Sequence, residues 1–267
     1  MNNKIYKGAV FFDIDGTLVD ERLGISVPPE STKNAIAALR KKGYITGIAT
    51  GRAKCYLPDM GIDFDCFVTC NGAVVEINDE VIVNEHIPKD KLNKVIDYLE
   101  KNDFGYNVET REICYYGERT KDKMFEMFNH FNITANCFTP LKSTDNLKVN
   151  KVLVSFDDIA QFEKLKEVFS EDFLITRHHN NNSGDVSFFN ATKATGIEAI
   201  INHLGIKVSD TYAFGDDAND LEMLTFAGCG IAMTPHSALL DGVAKYITGG
   251  VGENGIYNAL THLGLID

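Results

Sequence analysis

Three clusters of polar residues, each directly after a short apolar run, constrain this chain more than any other feature. In chain order the clusters are Asp13–Thr17, Thr50–Arg52 and Gly215–Asp220. The apolar runs are typical of buried strands, and a helical spacing of apolar residues between the first two predicts a strand–helix–strand unit. Polar loops that follow parallel strands converge at one edge of the sheet. We therefore expect Asp13, Asp15 and Asp216 to lie close together.

The carboxylates in these clusters indicate a cation. Clustered carboxylates repel one another strongly unless a positive charge lies between them. An all-oxygen set of ligands that also retains water suits Mg²⁺, and Mg²⁺ bridges carboxylate and phosphoryl oxygens. The sequence therefore predicts a Mg²⁺ site that also binds phosphate.

The order of helical and strand-like patterns predicts an α/β protein in two parts. A doubly wound, Rossmann-like parallel-sheet pattern covers the start of the chain and returns after residue 190. Between these parts, strands and helices are mixed as in an α+β layer. We predict a discontinuous core of residues 1–82 and 189–267 with an inserted α+β domain at 83–188. The last strand of the insert is predicted at 173–178, and the polar segment 176–185 is interpreted as the end of this strand.

Composition and charge exclude several classes of partner. The 267 residues include 26 Lys and Arg against 38 Asp and Glu, a net charge of −12. Nucleic acids and anionic membranes need a basic surface that such a chain lacks. The sequence shows no signal peptide and no run of about 20 apolar residues, and its six cysteines are scattered as reduced cytosolic thiols are. We expect a cytoplasmic monomer or small homo-oligomer with neither nucleic acid nor membrane as partner.

Four ordered motifs resemble those of a known family, the haloacid dehalogenase superfamily phosphatases. They are DxDGT at Asp13–Thr17, the threonine of Thr50–Arg52, Lys193, and GDxxND at Gly215–Asp220. The Asn71-Gly72 pair is typical of the Cof-type branch, subfamily IIB, which carries a large α/β cap. The resemblance covers essentially the whole chain. It implies a Mg²⁺-dependent phosphatase that forms an aspartyl-phosphate intermediate on a small phosphorylated metabolite.

The resemblance also implies a role for each motif residue. Asp13 would be the nucleophile and a metal ligand. Asp15 would protonate the leaving alcohol, activate the hydrolytic water and ligate the metal through its main-chain carbonyl. Asp216 would complete the metal ligands, and Asp220 would orient Lys193 or a water on the metal. The residues that would hold the phosphoryl oxygens are Ile14, Thr50, Gly51, Lys193 and Asn219.

Two further features bear on the pattern and the substrate. Asp217 departs from the family, which more often has a small or neutral residue there, and we interpret it as a solvated loop carboxylate. In the insert, His178, His179 and Asp185 are candidate contacts to the substrate, because sugar hydroxyls suit such partners. This polar segment favours a sugar phosphate.

Two alternative functions remain open. A phosphatase of a planar cofactor phosphate, such as flavin mononucleotide or pyridoxal phosphate, would use the same chemistry, and Tyr115 and Tyr116 are candidates to stack on its ring. A non-catalytic phosphate-binding regulatory module also uses clustered aspartates and Mg²⁺, but it needs no acid/base at Asp15. The chain contains no GxxxxGK[ST] motif and no GxGxxG after its first strand, which argues against a P-loop triphosphatase and a dehydrogenase.

Overall fold

The computed structural model describes residues 5–130, 133, 135–178 and 181–267. Within these residues the strands are β1 (Gly8–Phe12), β2 (Tyr44–Ala49), β3 (Cys66–Thr69), β4 (Val74–Ile77), β5 (Glu80–Asn84), β6 (Gly105–Glu109), β7 (Cys114–Tyr116), β8 (Phe138–Pro140), β9 (Lys151–Ser155), β10 (Leu174–Arg177), β11 (Ser183–Ser187), β12 (Thr211–Gly215), β13 (Cys229–Ala232) and β14 (Tyr246–Ile247). The helices are α1 (Glu30–Lys41), α2 (Lys89–Lys101), α3 (Lys121–His130), α4 (Ile159–Phe169), α5 (Lys193–Leu204), α6 (Leu221–Phe226) and α7 (Gly255–His262). No described helix is long and apolar enough to cross a bilayer.

The described residues divide into two compact units. The first is made of Met1–Gly51, Asp59–Val83 and Thr192–Asp267, and the second of Arg52–Pro58 and Asn84–Ala191. The sequence assigns residues 52–58 to the core, but their contacts place them in the second unit. The limits at 82/83 and 188/189 stay a sequence-based prediction of the domain boundaries.

The first unit is built on an eight-stranded sheet in the order β14-β13-β12-β1-β2-β3-β4-β5. Strands from β14 to β3 pair in parallel, and β3 pairs antiparallel with β4. Every residue of β1 is buried, as expected of a parallel strand covered on both faces. Apolar residues of α5 and α6, such as Ile197 and Leu224, share one core with Phe11 of β1. The predicted doubly wound α/β core is confirmed.

The second unit is built on a six-stranded sheet in the order β10-β11-β9-β6-β7-β8. Its pairs are antiparallel except for β7 with β8. Val108 and Val154 of the sheet form one core with Leu92 of α2 and Leu165 of α4. Because side chains alternate along a strand, Glu109 and its neighbours on that face point away from this core. The predicted α+β insert is confirmed.

The strand predicted at 173–178 is confirmed as β10, but its extension through the polar segment to residue 185 is wrong. β10 ends at Arg177, β11 begins at Ser183, and the two pair antiparallel, with Thr176 opposite Asp185. The polar segment between them, which is rich in asparagine, has the composition of a chain reversal rather than of a buried strand. Asp185 therefore lies on a strand that also pairs with β9.

Candidate active site

β1 and β12 bring the first and last motifs together at one edge of the sheet in the first unit. The two strands are parallel neighbours, with Phe12 opposite Phe214. The Asp13 amide donates a hydrogen bond to the Phe214 carbonyl at 3.0 Å. Asp13 is thus the first residue after β1, and Asp216 is the first residue after β12. This is the convergence that parallel strands followed by polar loops predict.

Three carboxylates form a buried group at this edge. One oxygen from each of Asp13, Asp216 and Asp220 lies within 4.8 Å of the other two, and all three residues are buried. Burial, followed by the charge of Asp220, raises the pKa of Asp13 to about 7. Burial and the charges of Asp220 and Asp13 likewise raise the pKa of Asp216 well above its ordinary value. The group therefore carries more negative charge than its surroundings balance.

Lys193 supplies one positive charge to this group. Its ammonium nitrogen lies 2.8 Å from Asp13 Oδ1 and 2.6 Å from Asp220 Oδ1. Burial lowers the pKa of Lys193, but the two carboxylates outweigh it and raise that pKa. Thr192 and Thr195 position the lysine, because their hydroxyls accept each other's main-chain N–H at the start of α5. One ammonium leaves the other carboxylates of the group to be balanced by another cation.

Both oxygens of Asp220 are occupied within the protein. Oδ1 accepts from Lys193, and Oδ2 accepts from the amides of Asp216 at 2.9 Å and Asp217 at 3.1 Å. These contacts place the Asp220 carboxylate between the ammonium of Lys193 and the main chain at Asp216. The orienting role that the family resemblance implies for Asp220 stays a prediction.

The DxDGT turn packs directly against Asp216. Gly16 has a φ of +83°, and a Cβ added there would lie 2.0 Å from Asp216 Oδ2, so only glycine fits. The Thr17 hydroxyl donates to Asp216 Oδ1 at 3.3 Å. Thr17 lies within the DxDGT motif, and the sequence alone indicates no role for it. Its contact shows that it helps to orient Asp216.

The other predicted core residues lie on the same loops, and their roles stay predictions. Asp15 is partly buried and near enough for its charge to raise the pKa of Asp13, but its carboxylate is not one of the three grouped ones. Ile14 is buried, and its carbonyl accepts from the amides of Leu18 at 2.9 Å and Val19 at 3.0 Å. Thr50, which precedes Gly51, is buried after β2, and its amide donates to the Val68 carbonyl at 2.8 Å. Asn219 is exposed in a turn.

The candidate contacts in the second unit belong to a buried ionic cluster. Lys151 Nζ lies 2.5 Å from Asp185 Oδ1 and 3.3 Å from Glu109 Oε2. His178 Nε2 lies 3.2 Å from Asp185 Oδ2. Burial opposes the charge of Asp185, but Lys151 and His178 outweigh it and lower the pKa of that carboxyl. His179 lies outside the described residues.

Sequence reasoning missed two members of this cluster, Lys151 and Glu109. Both are buried, and they are directly opposite each other in the antiparallel pair of β6 and β9. The available signal was a lysine directly before the apolar residues of β9, because a buried charge needs a partner of opposite sign. Substrate contact by His178 and Asp185 stays a prediction.

Comparison with known proteins identifies the family. The sequence model of the haloacid dehalogenase-like hydrolases matches residues 10–260. The chain belongs to this family. Its buried carboxylates lie where the DxDGT, Lys193 and GDxxND motifs meet.

Three related proteins from bacteria carry phosphatase names. YkrA of Bacillus subtilis, described provisionally as a phosphatase, is 32% identical over 267 residues, which cover 96% of this chain and 98% of YkrA. A Streptococcus pyogenes serotype M6 protein, described provisionally as a bifunctional phosphatase and peptidyl-prolyl cis-trans isomerase, is 33% identical over 264 residues. The match covers 97% of this chain and 54% of that relative, so the chain spans about half of its length. YitU of Bacillus subtilis, a 5-amino-6-(5-phospho-D-ribitylamino)uracil phosphatase, is 28% identical over 263 residues, covering 92% and 94%.

A solved structure agrees with these relatives. The subclass IIB sugar phosphatase BT4131 superposes with a TM-score of 0.85 at 29% identity, covering 97% of this chain and 100% of that one. The family match, the phosphatase relatives and this neighbour bear out the resemblance to the Cof-type branch. The haloacid dehalogenase-like hydrolase described here is thus a phosphatase.

Proposed function

We propose that the protein is a Mg²⁺-dependent phosphomonoesterase that hydrolyses a small phosphorylated metabolite through an aspartyl-phosphate on Asp13. One observation carries this proposal. The Asp13 carboxylate lies 2.8 Å from the buried ammonium of Lys193, in a group of three carboxylates that one ammonium does not neutralise. A carboxylate becomes an effective nucleophile toward a phosphate only where positive charge lowers the repulsion between them.

The donor set of this group fits Mg²⁺. All its side-chain donors are oxygens, which is the preference of that ion, and two oxygens on one Mg²⁺ lie about 3 to 4 Å apart. Asp13 and Asp216 would hold the ion together with the Asp15 main-chain carbonyl, since both Asp220 oxygens already accept hydrogen bonds. Bound there, Mg²⁺ would neutralise charge on the carboxylate and phosphoryl oxygens.

The residues of the chain account for two successive transfers. A carboxylate oxygen of Asp13 attacks phosphorus, the ester P–O bond breaks, and Asp15 gives its proton to the leaving oxygen. Asp15 then takes a proton from the water that attacks the aspartyl-phosphate, which releases phosphate and restores Asp13. Lys193 holds Asp13 in place and offers its charge to the phosphoryl oxygens. The residues proposed to add donors around those oxygens are Ile14, Thr50, Gly51 and Asn219.

We expect Mg²⁺ to bind at Asp216 and not at its neighbour. Asp216→Asn removes a ligand and should weaken Mg²⁺ binding by at least about tenfold, since even indirect changes around a metal cost 10- to 100-fold. Asp217→Asn is the matched control, because the Asp217 side chain caps the following turn, where it accepts from the Ala218 amide at 2.7 Å, and asparagine keeps that acceptor. Isothermal titration with MgCl₂ measures both. Equal affinities in the two variants would contradict the assignment.

Support for a sugar phosphate as substrate comes from two sources. The related subclass IIB protein BT4131 is a sugar phosphatase. The second unit of this chain also carries polar side chains on β9 and β11, with His178 next to Asp185, and hydroxyl-rich ligands suit such groups. We propose that His178 takes part in substrate recognition.

A second candidate follows from YitU, whose substrate joins a phosphorylated ribityl chain to a uracil ring. That substrate and a sugar phosphate share hydroxyl groups close to the phosphate, so the part common to both is a phosphorylated polyol. Only the first also carries a planar aromatic ring, as flavin mononucleotide does. A preference for esters with such a ring would distinguish this candidate from a plain sugar phosphatase.

A panel of phosphate esters tests both candidates. It includes hexose and pentose phosphates, ribitylaminouracil phosphate, flavin mononucleotide, pyridoxal phosphate and p-nitrophenyl phosphate, each with Mg²⁺ and with EDTA. We expect His178→Gln to raise KM for the preferred ester by about three- to tenfold, which corresponds to the free energy of one hydrogen bond. The KM for p-nitrophenyl phosphate should not change. His86→Gln is the control, since His86 is also half-buried in the second unit. An equal loss on every ester would show that His178 is structural.

A further inference from the structure

Three cysteines of the second unit meet although they are far apart in the sequence. Cys55 and Cys114 are 59 residues apart, yet their sulfur atoms lie 3.4 Å from each other. The Cys137 thiol forms hydrogen bonds with both. Cys114 is buried, whereas Cys55 and Cys137 are partly exposed. The phosphatase chemistry makes no use of these thiols.

The fold of the second unit holds this thiol cluster in place. β7 pairs Cys114 in register with Phe138, the residue after Cys137. The Tyr56 ring lies 5.5 Å from the Phe138 ring, and its hydroxyl donates to Glu109 at 2.7 Å. These contacts fix the turns that carry Cys55 and Cys137 beside β7. The cluster is therefore a built feature rather than a chance encounter of surface side chains.

The three thiols differ in access and in acidity. A solvent oxidant reaches the partly exposed Cys137 but not the buried Cys114. Hydrogen bonds from Cys114 and then Cys55 lower the pKa of the Cys137 thiol to about 4. For the Cys55 thiol, the hydrogen bond with Cys114 lowers the pKa, but the hydrogen bond with Cys137 and burial raise it, so that the pKa is about 12. Because the thiolate is the reactive form, Cys137 is the thiol that an oxidant attacks first.

We propose that the thiol cluster is an oxidation site at which a hydroperoxide reacts with Cys137 and the resulting disulfide passes to Cys55 and Cys114. The Cys137 thiolate attacks the peroxide, so that an S–O bond forms, the O–O bond breaks and hydroxide (from hydrogen peroxide) or alkoxide (from an organic hydroperoxide) leaves. Cys114 attacks the sulfenic sulfur of Cys137, an S–S bond forms, the S–O bond breaks, and the departing hydroxide takes the thiol proton as water. Cys55, deprotonated by solvent, then attacks the Cys114 sulfur and releases Cys137 as a thiolate.

The sum of these steps balances. One hydroperoxide is reduced, two thiols lose their hydrogens, and Cys137 returns to its starting state. The final bond joins the pair that is already close, since the two sulfur atoms must approach from 3.4 Å to about 2.05 Å by side-chain rotation. The disulfide would tie the turn Lys54–Tyr56, which begins three residues after Gly51, to β7.

Peroxide treatment of the reduced protein tests this proposal. The protein is incubated with one equivalent of hydrogen peroxide, quenched with an alkylating reagent and mapped by peptide mass spectrometry. We expect a Cys55–Cys114 cross-linked peptide and two fewer alkylated thiols. Cys137→Ser should slow its formation by at least about tenfold, because the reactive thiolate is gone. Cys229→Ser, which removes a partly exposed thiol of the first unit, should not change the rate.

A second measurement needs no variant. A nucleophile specific for sulfenic acids, such as dimedone, should label Cys137 in the wild-type protein and leave Cys55 and Cys114 unlabelled. Equal rates in wild type and Cys137→Ser would overturn the proposal, as would sulfinic acid on Cys137 with the other two thiols still reduced. A stoichiometric metal that protects all three thiols from peroxide would also overturn it, because the cluster would then be a metal site.

Discussion

We expect Asp13→Asn to lower phosphate release by at least about 10⁴-fold, the scale on which removal of a nucleophile acts in other enzymes. An amide cannot form the acyl-phosphate that the proposed mechanism requires. The substitution keeps the shape of the side chain, and its carbonyl oxygen can still accept from Lys193, which lies 2.8 Å from Asp13 Oδ1. We therefore expect the thermal unfolding temperature to change little.

The measurement is steady-state phosphate release at saturating Mg²⁺ with the best ester of the panel. Asp217→Asn serves as the matched control, since the same chemical change two residues after the end of β12 should leave kcat within about twofold. An Asp13→Asn enzyme that retained more than a few per cent of kcat would end the aspartyl-phosphate mechanism. A fully inactive control would instead show that the loop tolerates no substitution.

Lys193→Met is expected to have the largest effect on stability. It leaves Asp13 and Asp220, both buried, without the ammonium that lies within 2.8 Å of each. Removal of one partner from a buried ion pair costs about 3–5 kcal/mol of unfolding free energy. We expect a loss of this size in EDTA at pH 8, together with the loss of phosphate release.

The unfolding free energy that Lys193→Met removes depends on pH, and the pKa of Asp13 determines the direction of this dependence. That pKa is raised to about 7 even with Lys193 present, and the substitution raises it further. A carboxyl whose pKa is higher in the folded than in the unfolded protein stabilises the folded state while it is protonated. This contribution to stability is lost as pH rises through the folded-state pKa. The cost of Lys193→Met is therefore smaller at pH 6 than at pH 8.

Urea unfolding at pH 6 and pH 8, in EDTA and in Mg²⁺, measures this effect. Lys207→Met is the control, because Lys207 is exposed in the same unit and its substitution should change stability by less than about 0.5 kcal/mol. Added Mg²⁺ should recover part of the loss by neutralising the same carboxylates. Identical pH dependence in the two variants would contradict the role of Lys193 as the counter-ion of this group.

The sequence by itself determined the elements and the motifs that end them. Continuous apolar runs predict buried strands, and a polar loop after each run marks the edge of a parallel sheet, because both signals are local. The β1 and β12 loops that carry Asp13 and Asp216 were placed in this way. The strand at 173–178 was also placed correctly, but its extension through the polar segment to residue 185 was wrong, and only the pairing of β10 with β11 shows that the chain reverses there.

Only the tertiary structure decided which side chains contact one another. The Asp220 carboxylate binds Lys193 and two main-chain amides, Lys151 pairs with Asp185 across 34 residues, and Cys55 meets Cys114 across 59. The physical reason is that ion pairing, pKa shifts and thiol proximity depend on distances and burial that long-range packing sets. Residue types and local periodicity determine where a strand ends, but they do not fix the distance between two side chains on different strands.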